Sequence, residues 1–285
     1  MKGQGTQIIG IDFSTSKDDI GGNLCITEGT VGSEEFDVKQ CSAAEDEFGD
    51  EGRDLILNKL CETITSRSVG SHTVVGLDFP FGLPYEVLPD EVIERNEWRT
   101  LLDIFAQEYG NSPRDMESEC KKKAKGVNGN KKYYRRTTDE NNQALSPYHF
   151  MGIKHLTYHG IRSVIIPIED QVCFLPMDER DSGKPWVIEV YPATTLRSLQ
   201  SDNNLQHDHK RYKEGTRKAL RKRKQIIDTI EPSINLTRGD REFILSNHNA
   251  LDSLLAAYAT FEAVKDGYDR PKDDEWCPVE GYIHA

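Results

Sequence analysis

The chain has 285 residues, 48 acidic and 36 basic, for a net charge of −12, with six cysteines and 36% hydrophobic residues. Its longest apolar runs, 164–168 and 254–259, fall far short of the ~20 residues a membrane-spanning helix needs, and Met1-Lys2-Gly3-Gln4-Gly5 carries no apolar leader. These features argue against membrane and exported classes. The six cysteines form no CxxC pair or zinc spacing, which predicts reduced thiols in a cytoplasmic protein.

Residues 7–13, QIIGIDF, form a compact apolar run ending in Ser14-Thr15-Ser16 and read as a buried central strand. Segments 23–30 and 34–42 are strand-like and separated by Gly29, Gly32 and Ser33, which predicts hairpin neighbours of the first strand. Leu55, Ile56, Leu60 and Ile64 recur at helical spacing over 52–65, and TVVGLDF at 73–79 is a second buried strand, stopped by Pro80. Residues 85–160 are polar, basic and helical in pattern, and read as an insertion. Buried strands are expected again at 163–168 (SVIIPI) and 186–191 (WVIEVY), and helices at 193–199, 206–227 and 246–265. This order predicts a single α/β domain over 1–285, with a mixed central sheet flanked by helices and a helical insertion at about 85–160.

The charge is unevenly distributed. Residues 114–136 hold nine Lys or Arg against three acids, and 206–226 hold nine against two. The two islands carry +13 and the remainder −25. An acidic body with two basic islands is compatible with a polyanionic partner. Nucleic acid is therefore the expected partner, its backbone held by Lys131, Lys132, Arg135, Arg136, Lys210, Arg211, Arg217 and Arg221. The plainer alternative is a pair of solvated helix faces.

The most informative pattern is an echo. Gly10-Ile11-Asp12-Phe13 and Gly76-Leu77-Asp78-Phe79 both place an acid at the end of an apolar strand, with a glycine two residues earlier on the same face. That glycine leaves room for a metal, a ligand or another backbone. A buried carboxylate must be neutralised, hydrogen-bonded or bound to a cation. Capping of the following turn would explain one such aspartate, whereas two favour function. Glu189 interrupts the apolar run 186–191 in a similar way, its plainer reading being an exposed residue on an edge strand. Asp252 opens the last helix with His248 one turn earlier on the same face, although an acid there also suits the helix dipole. Four carboxylates make a hard-oxygen set suited to Mg²⁺ or Mn²⁺, the chemistry of phosphodiester cleavage. His155 and His159, four residues apart, lack the glutamate of a zinc protease and read as an ordinary helix pair.

GIDFS, VVGLDFPFGLP, IEVYPA and HNALDSLLAAY, together with Arg135-Arg136-Thr137-Thr138-Asp139, resemble the predicted ribonuclease H-like nucleases of the domain-of-unknown-function 429 family. The resemblance implies a ribonuclease H-like fold in which the first strand, the fourth strand and a C-terminal helix supply metal-binding acids. By that resemblance Asp12, Asp78 and Asp252 take the catalytic positions, and Glu189 is a fourth.

The leading expectation is a metal-dependent nuclease. Asp12 and Asp78 are its central ligands, Asp252 and Glu189 complete the shell or orient water, and His248 shuttles a proton or positions Asp252. Two alternatives stand beside it: a nucleic-acid-binding protein without turnover, and an actin-like or sugar-kinase-like phosphotransferase on the same core, suggested by Asp12-Phe13-Ser14-Thr15-Ser16.

Overall fold

A computed structural model describes residues 5–16, 20–32, 35–49, 51–66, 72–203, 212–268, 271–272 and 277–284. The chain opens with β1 (Gln7–Asp12), a short helix α1 (Ile20–Asn23), β2 (Cys25–Val31) and β3 (Phe36–Ala43), with β1, β2 and β3 in antiparallel register. Gly29 lies inside β2 at a register shift opposite β3, not in the connection as its spacing suggested. After α2 (Ala44–Phe48) and α3 (Arg53–Ser66), β4 (Thr73–Leu77) enters parallel to β1.

A helical stretch follows: α4 (Asp90–Arg95), α5 (Trp98–Tyr109), α6 (Pro113–Val127), α7 (Thr137–Asn141) and α8 (Met151–Gly160). The expected strand at 163–168 is not a strand. The chain continues from α8 through a π-helical turn (Ile161–Ile165) into α9 (Ile166–Ile168). Ile161, Val164, Ile165 and Ile168 are all buried. Their i, i+3, i+4, i+7 spacing is that of a helix face, and a short apolar run does not by itself distinguish a buried helix from a buried strand. The strand comes slightly later, as β5 (Cys173–Leu175), followed by β6 (Trp186–Val190), α10 (Pro192–Asn203), α11 (Arg217–Ile230), β7 (Ile234–Asn235), α12 (Arg238–Ser246), α13 (His248–Lys265) and β8 (Ile283–His284).

The mixed sheet runs β5-β6-β4-β1-β2-β3-β7, with β8 also paired to β6. Alternation along β1 and β4 divides the core between its two faces. Ile9, Ile11, Val75 and Leu77 pack with residues of α3, α5, α6 and α8, so the helical stretch shares the main core. On the opposite face Ile8 packs against Leu251, Leu254 and Phe261 of α13, and Val74 against Ala256. Helix α13 is buried on nearly every side, as expected of a helix apolar all round. All six cysteines are unpaired. Among the described residues no helix is long and apolar enough to cross a membrane.

Candidate active site

The echoed strands are neighbours in exact register, Gly10 beside Gly76 and Ile11 beside Leu77, and the Asp78 N–H donates to the Ile11 carbonyl at 3.1 Å. Asp12 and Asp78 therefore emerge side by side at the carboxyl ends of two parallel strands. The space at the glycines is filled by α13, by its backbone at Gly10 and by the Thr260 side chain at Gly76. A Cβ on Gly10 would stand 2.1 Å from the Ala257 nitrogen, and one on Gly76 would stand 2.0 Å from Thr260 Oγ1. The two glycines let α13 lie directly on the sheet. Its N-terminus, capped by Asn247 accepting from the Asn249 N–H at 2.9 Å, brings Asp252 towards the strand-end aspartates.

Asp252 is buried and held from one side: Tyr212 donates its hydroxyl to Oδ1 at 2.5 Å, and Lys213 Nζ pairs with Oδ2 at 2.6 Å. Arg223, also buried, donates to the Tyr212 carbonyl at 2.7 Å and fixes the segment that carries both residues. Among the described residues the site contains three carboxylates and one ammonium. Burial raises the Asp12 carboxyl well above the ordinary range, with Asp252 and Asp78 adding to the shift and Lys213 opposing it. Burial and Asp252 push Asp78 up to about 8, again against Lys213. Burial alone would lower the Lys213 ammonium, but Asp252, Asp12 and Asp78 together raise it. His248 lies at the start of α13, its imidazole pushed down by burial and partly supported by Asp252. The bonds that orient Asp252 come from Tyr212 and Lys213, not from His248. Beside Asp78, a slot of ≈ 60 Å³ lined by Pro80, Leu145, Ile153 and Tyr191 has room for about two waters. Among the described residues no group of three or more His, Cys, Asp or Glu closes into a cage that would hold a metal ion.

Glu189 sits next to this cluster: it pairs in register with Leu77, lines the same slot as Asp78 and adds to the rise of the Asp78 carboxyl. It is not an exposed edge residue, and its own charge is met by an arginine. Arg136 donates to Glu189 Oε1 at 2.5 Å and to Oε2 at 2.7 Å, and the Phe81 N–H adds a bond to Oε2 at 2.9 Å. Arg136 also grips Asp139 through Nη2 at 2.7 Å and Nε at 3.0 Å. The guanidinium is 0% exposed, which corrects its assignment to a nucleic-acid surface: it is a structural counter-ion whose donors are already used.

The other basic residues divide. Lys131, Lys132 and Arg135 are exposed, as are Arg217 and Arg221 on α11, while Lys210 and Arg211 lie outside the described residues. Sequence reasoning passed over Tyr212, Lys213 and Arg223 as site residues. Arg223 carried a signal, since it falls on the apolar helical stripe with Ala219, Ile226, Ile227 and Ile230. Tyr212 and Lys213 sit in a polar, basic stretch with no periodicity to mark them.

No curated protein and no solved structure matches the chain. Residues 167–275 match the family model described as a protein of unknown function, DUF429. The match takes in Glu189, Tyr212, Lys213 and Asp252, while Asp12 and Asp78 precede it. Over that span the chain is similar to the DUF429 family.

Proposed function

We propose that the protein is a divalent-metal-dependent phosphodiesterase acting on nucleic acid, with Asp12, Asp78 and Asp252 as its central carboxylates on a ribonuclease H-like sheet. The observation that carries the reading is the charge imbalance. Among the described residues three carboxylates from β1, the end of β4 and α13 share one ammonium, and burial together with the neighbouring carboxylates holds the Asp12 and Asp78 carboxyls above the ordinary carboxylate range. The donors suit a hard divalent cation in ligand type and charge, and the three carboxylates would have to draw together around it, because as they stand they form no closed metal cage. Such an ion supplies Lewis-acid polarisation of the phosphodiester and the missing positive charge. Asp12 and Asp78, set by register on adjacent strands, would hold it, together with Asp252. Tyr212 and Lys213 orient the Asp252 carboxylate. His248, neutral at pH 7 because burial lowers its basicity, is able to accept a proton. The slot beside Asp78 admits water.

A second reading, nucleic-acid binding without turnover, is favoured by one observation: Lys213 already occupies Asp252 as its cation. One assay separates the two readings. Labelled single- and double-stranded DNA and RNA are incubated with Mn²⁺ or Mg²⁺. The catalytic reading expects cleavage by the native chain and a loss of about 10³-fold or more in Asp12→Asn. Absence of cleavage of every substrate with both ions, alongside salt-sensitive binding, selects the second reading.

A further inference from the structure

Helix α8 separates two cavities. Ile153 and Leu156 face the slot beside Asp78, whereas Met151, Lys154, His155 and His159 line a groove on the other side. The groove encloses ≈ 530 Å³, in the range of ligand sites and larger than the slot. Arg53 at the start of α3 and Arg114 at the start of α6 complete a basic wall. The one carboxylate in the lining, Glu117, is already neutralised: Lys121 bonds its Oε1 at 2.5 Å and Lys154 bonds its Oε2. Burial would raise Glu117, but the two lysines hold it down to about 2. Among the described residues Arg53 Nε and Nη1 are buried with no hydrogen-bond acceptor, and Asp54 Oδ1 stands 3.6 Å from Nε. Buried guanidinium N–H groups without acceptors are costly, and an anionic oxygen in the groove would supply one.

The rim of this groove carries a second feature. Tyr133, His149 and Phe150 form a continuous stack, with ring centroids 3.9 and 4.0 Å apart and planes within 25°. The stack is anchored to the groove, because the Tyr133 hydroxyl donates to Glu117 Oε1 at 3.3 Å and Lys121 lies 5.0 Å over the Tyr133 ring. Phe150, immediately before the groove residue Met151, ends the stack with 54% of its surface exposed. Its φ of 55° is in the region that L side chains rarely adopt. A strained backbone presenting an apolar ring to solvent at the end of a stack, beside a basic groove, needs a partner to explain it. A planar base extends such a stack, and arginines suit the phosphates that accompany it.

We infer that the groove between α3, α6 and α8 binds a single-stranded nucleic acid segment, with phosphate at Arg53 and Arg114 and a base stacked on Phe150. This rests on the nucleic-acid reading above and names its substrate class. Unpaired bases are available to Phe150, whereas in a duplex they are already stacked and paired.

The test is fluorescence anisotropy of the full chain with a labelled 12-nucleotide single strand and with the corresponding duplex, in EDTA so that no cleavage occurs. The single strand is expected to bind at least about 10-fold tighter than the duplex. Phe150→Ala should weaken it by about 5- to 150-fold, the worth of one stacked base, and Phe150→Trp should restore it. Arg53→Gln with Arg114→Gln should weaken binding and flatten the salt dependence by about 0.7 per lost phosphate contact. Equal binding of single strand and duplex overturns the inference, as does native affinity in both the Phe150→Ala and the double-arginine variants, with thermal melts confirming that each is folded. Selective binding without metal-dependent hydrolysis overturns only the catalytic reading. Hydrolysis that is indifferent to Phe150 and the arginines overturns only this inference.

Discussion

The molecule buries two groups of acids, and they differ in how their charge is met. Around Arg136, two carboxylates face one guanidinium that forks to both, and the backbone N–H groups of Phe81 and Arg136 supply further donors. Next to them, Asp12, Asp78 and Asp252 share, among the described residues, a single lysine whose side chain is 53% exposed. In sequence the two groups look alike, since each includes an acid near the end of an apolar strand. Bidentate arginine pairing satisfies charge and geometry together, whereas one ammonium among three carboxylates leaves protons where a cation is wanted. The first arrangement is structural. The second is the candidate for chemistry.

The comparison breaks most readily at Arg136. Arg136→Ala strands two buried carboxylates and should cost about 3–5 kcal/mol, read from urea denaturation. A loss below about 1 kcal/mol would show that the pair does not hold the helical stretch to the sheet. Gly10→Ala should cost about 1–3 kcal/mol or more, because the added methyl meets the backbone of α13 and not a flexible side chain. It should also impair any activity of the site by displacing Asp252, and a neutral effect on stability would contradict the close approach. The aspartate group should respond in the opposite sense. Folded Asp78 holds its proton to about pH 8, against 3.8 in the unfolded chain. Stability from this group is therefore fully present below about pH 4 and is lost as pH rises towards 8. Asp78→Asn should remove that loss and stabilise the metal-free protein by on the order of 2 kcal/mol at pH 8, less at pH 5. A destabilised variant at pH 8 would mean that the carboxylate is satisfied.

Much of this was legible in the residues. Apolar runs ending in acids located β1, β4 and β6, and the glycine two residues before each aspartate marked the sheet face that α13 covers. For Glu189 the sequence offered a metal-binding or an exposed edge role, and its pairing with Arg136 is a tertiary contact that no local pattern encodes. Arg136 looked like part of a basic surface because neighbouring lysines and arginines dominate a charge count, although Asp139 three residues on is its partner. The run 163–168 was ambiguous between two buried structures with the same composition. Tyr212 and Lys213 depend on a tertiary contact with Asp252, which sequence spacing does not register.

The central claim is that Asp12, Asp78 and Asp252 form one under-neutralised site that takes a divalent cation. Titration calorimetry with Mn²⁺ tests it most directly, on the native chain and on Asp12→Asn, Asp78→Asn and Asp252→Asn. The account predicts saturable binding by the native chain that each substitution weakens by about 10-fold or more, with the variants still folded by thermal melt. No binding by the native chain, or native affinity in all three variants, would contradict it.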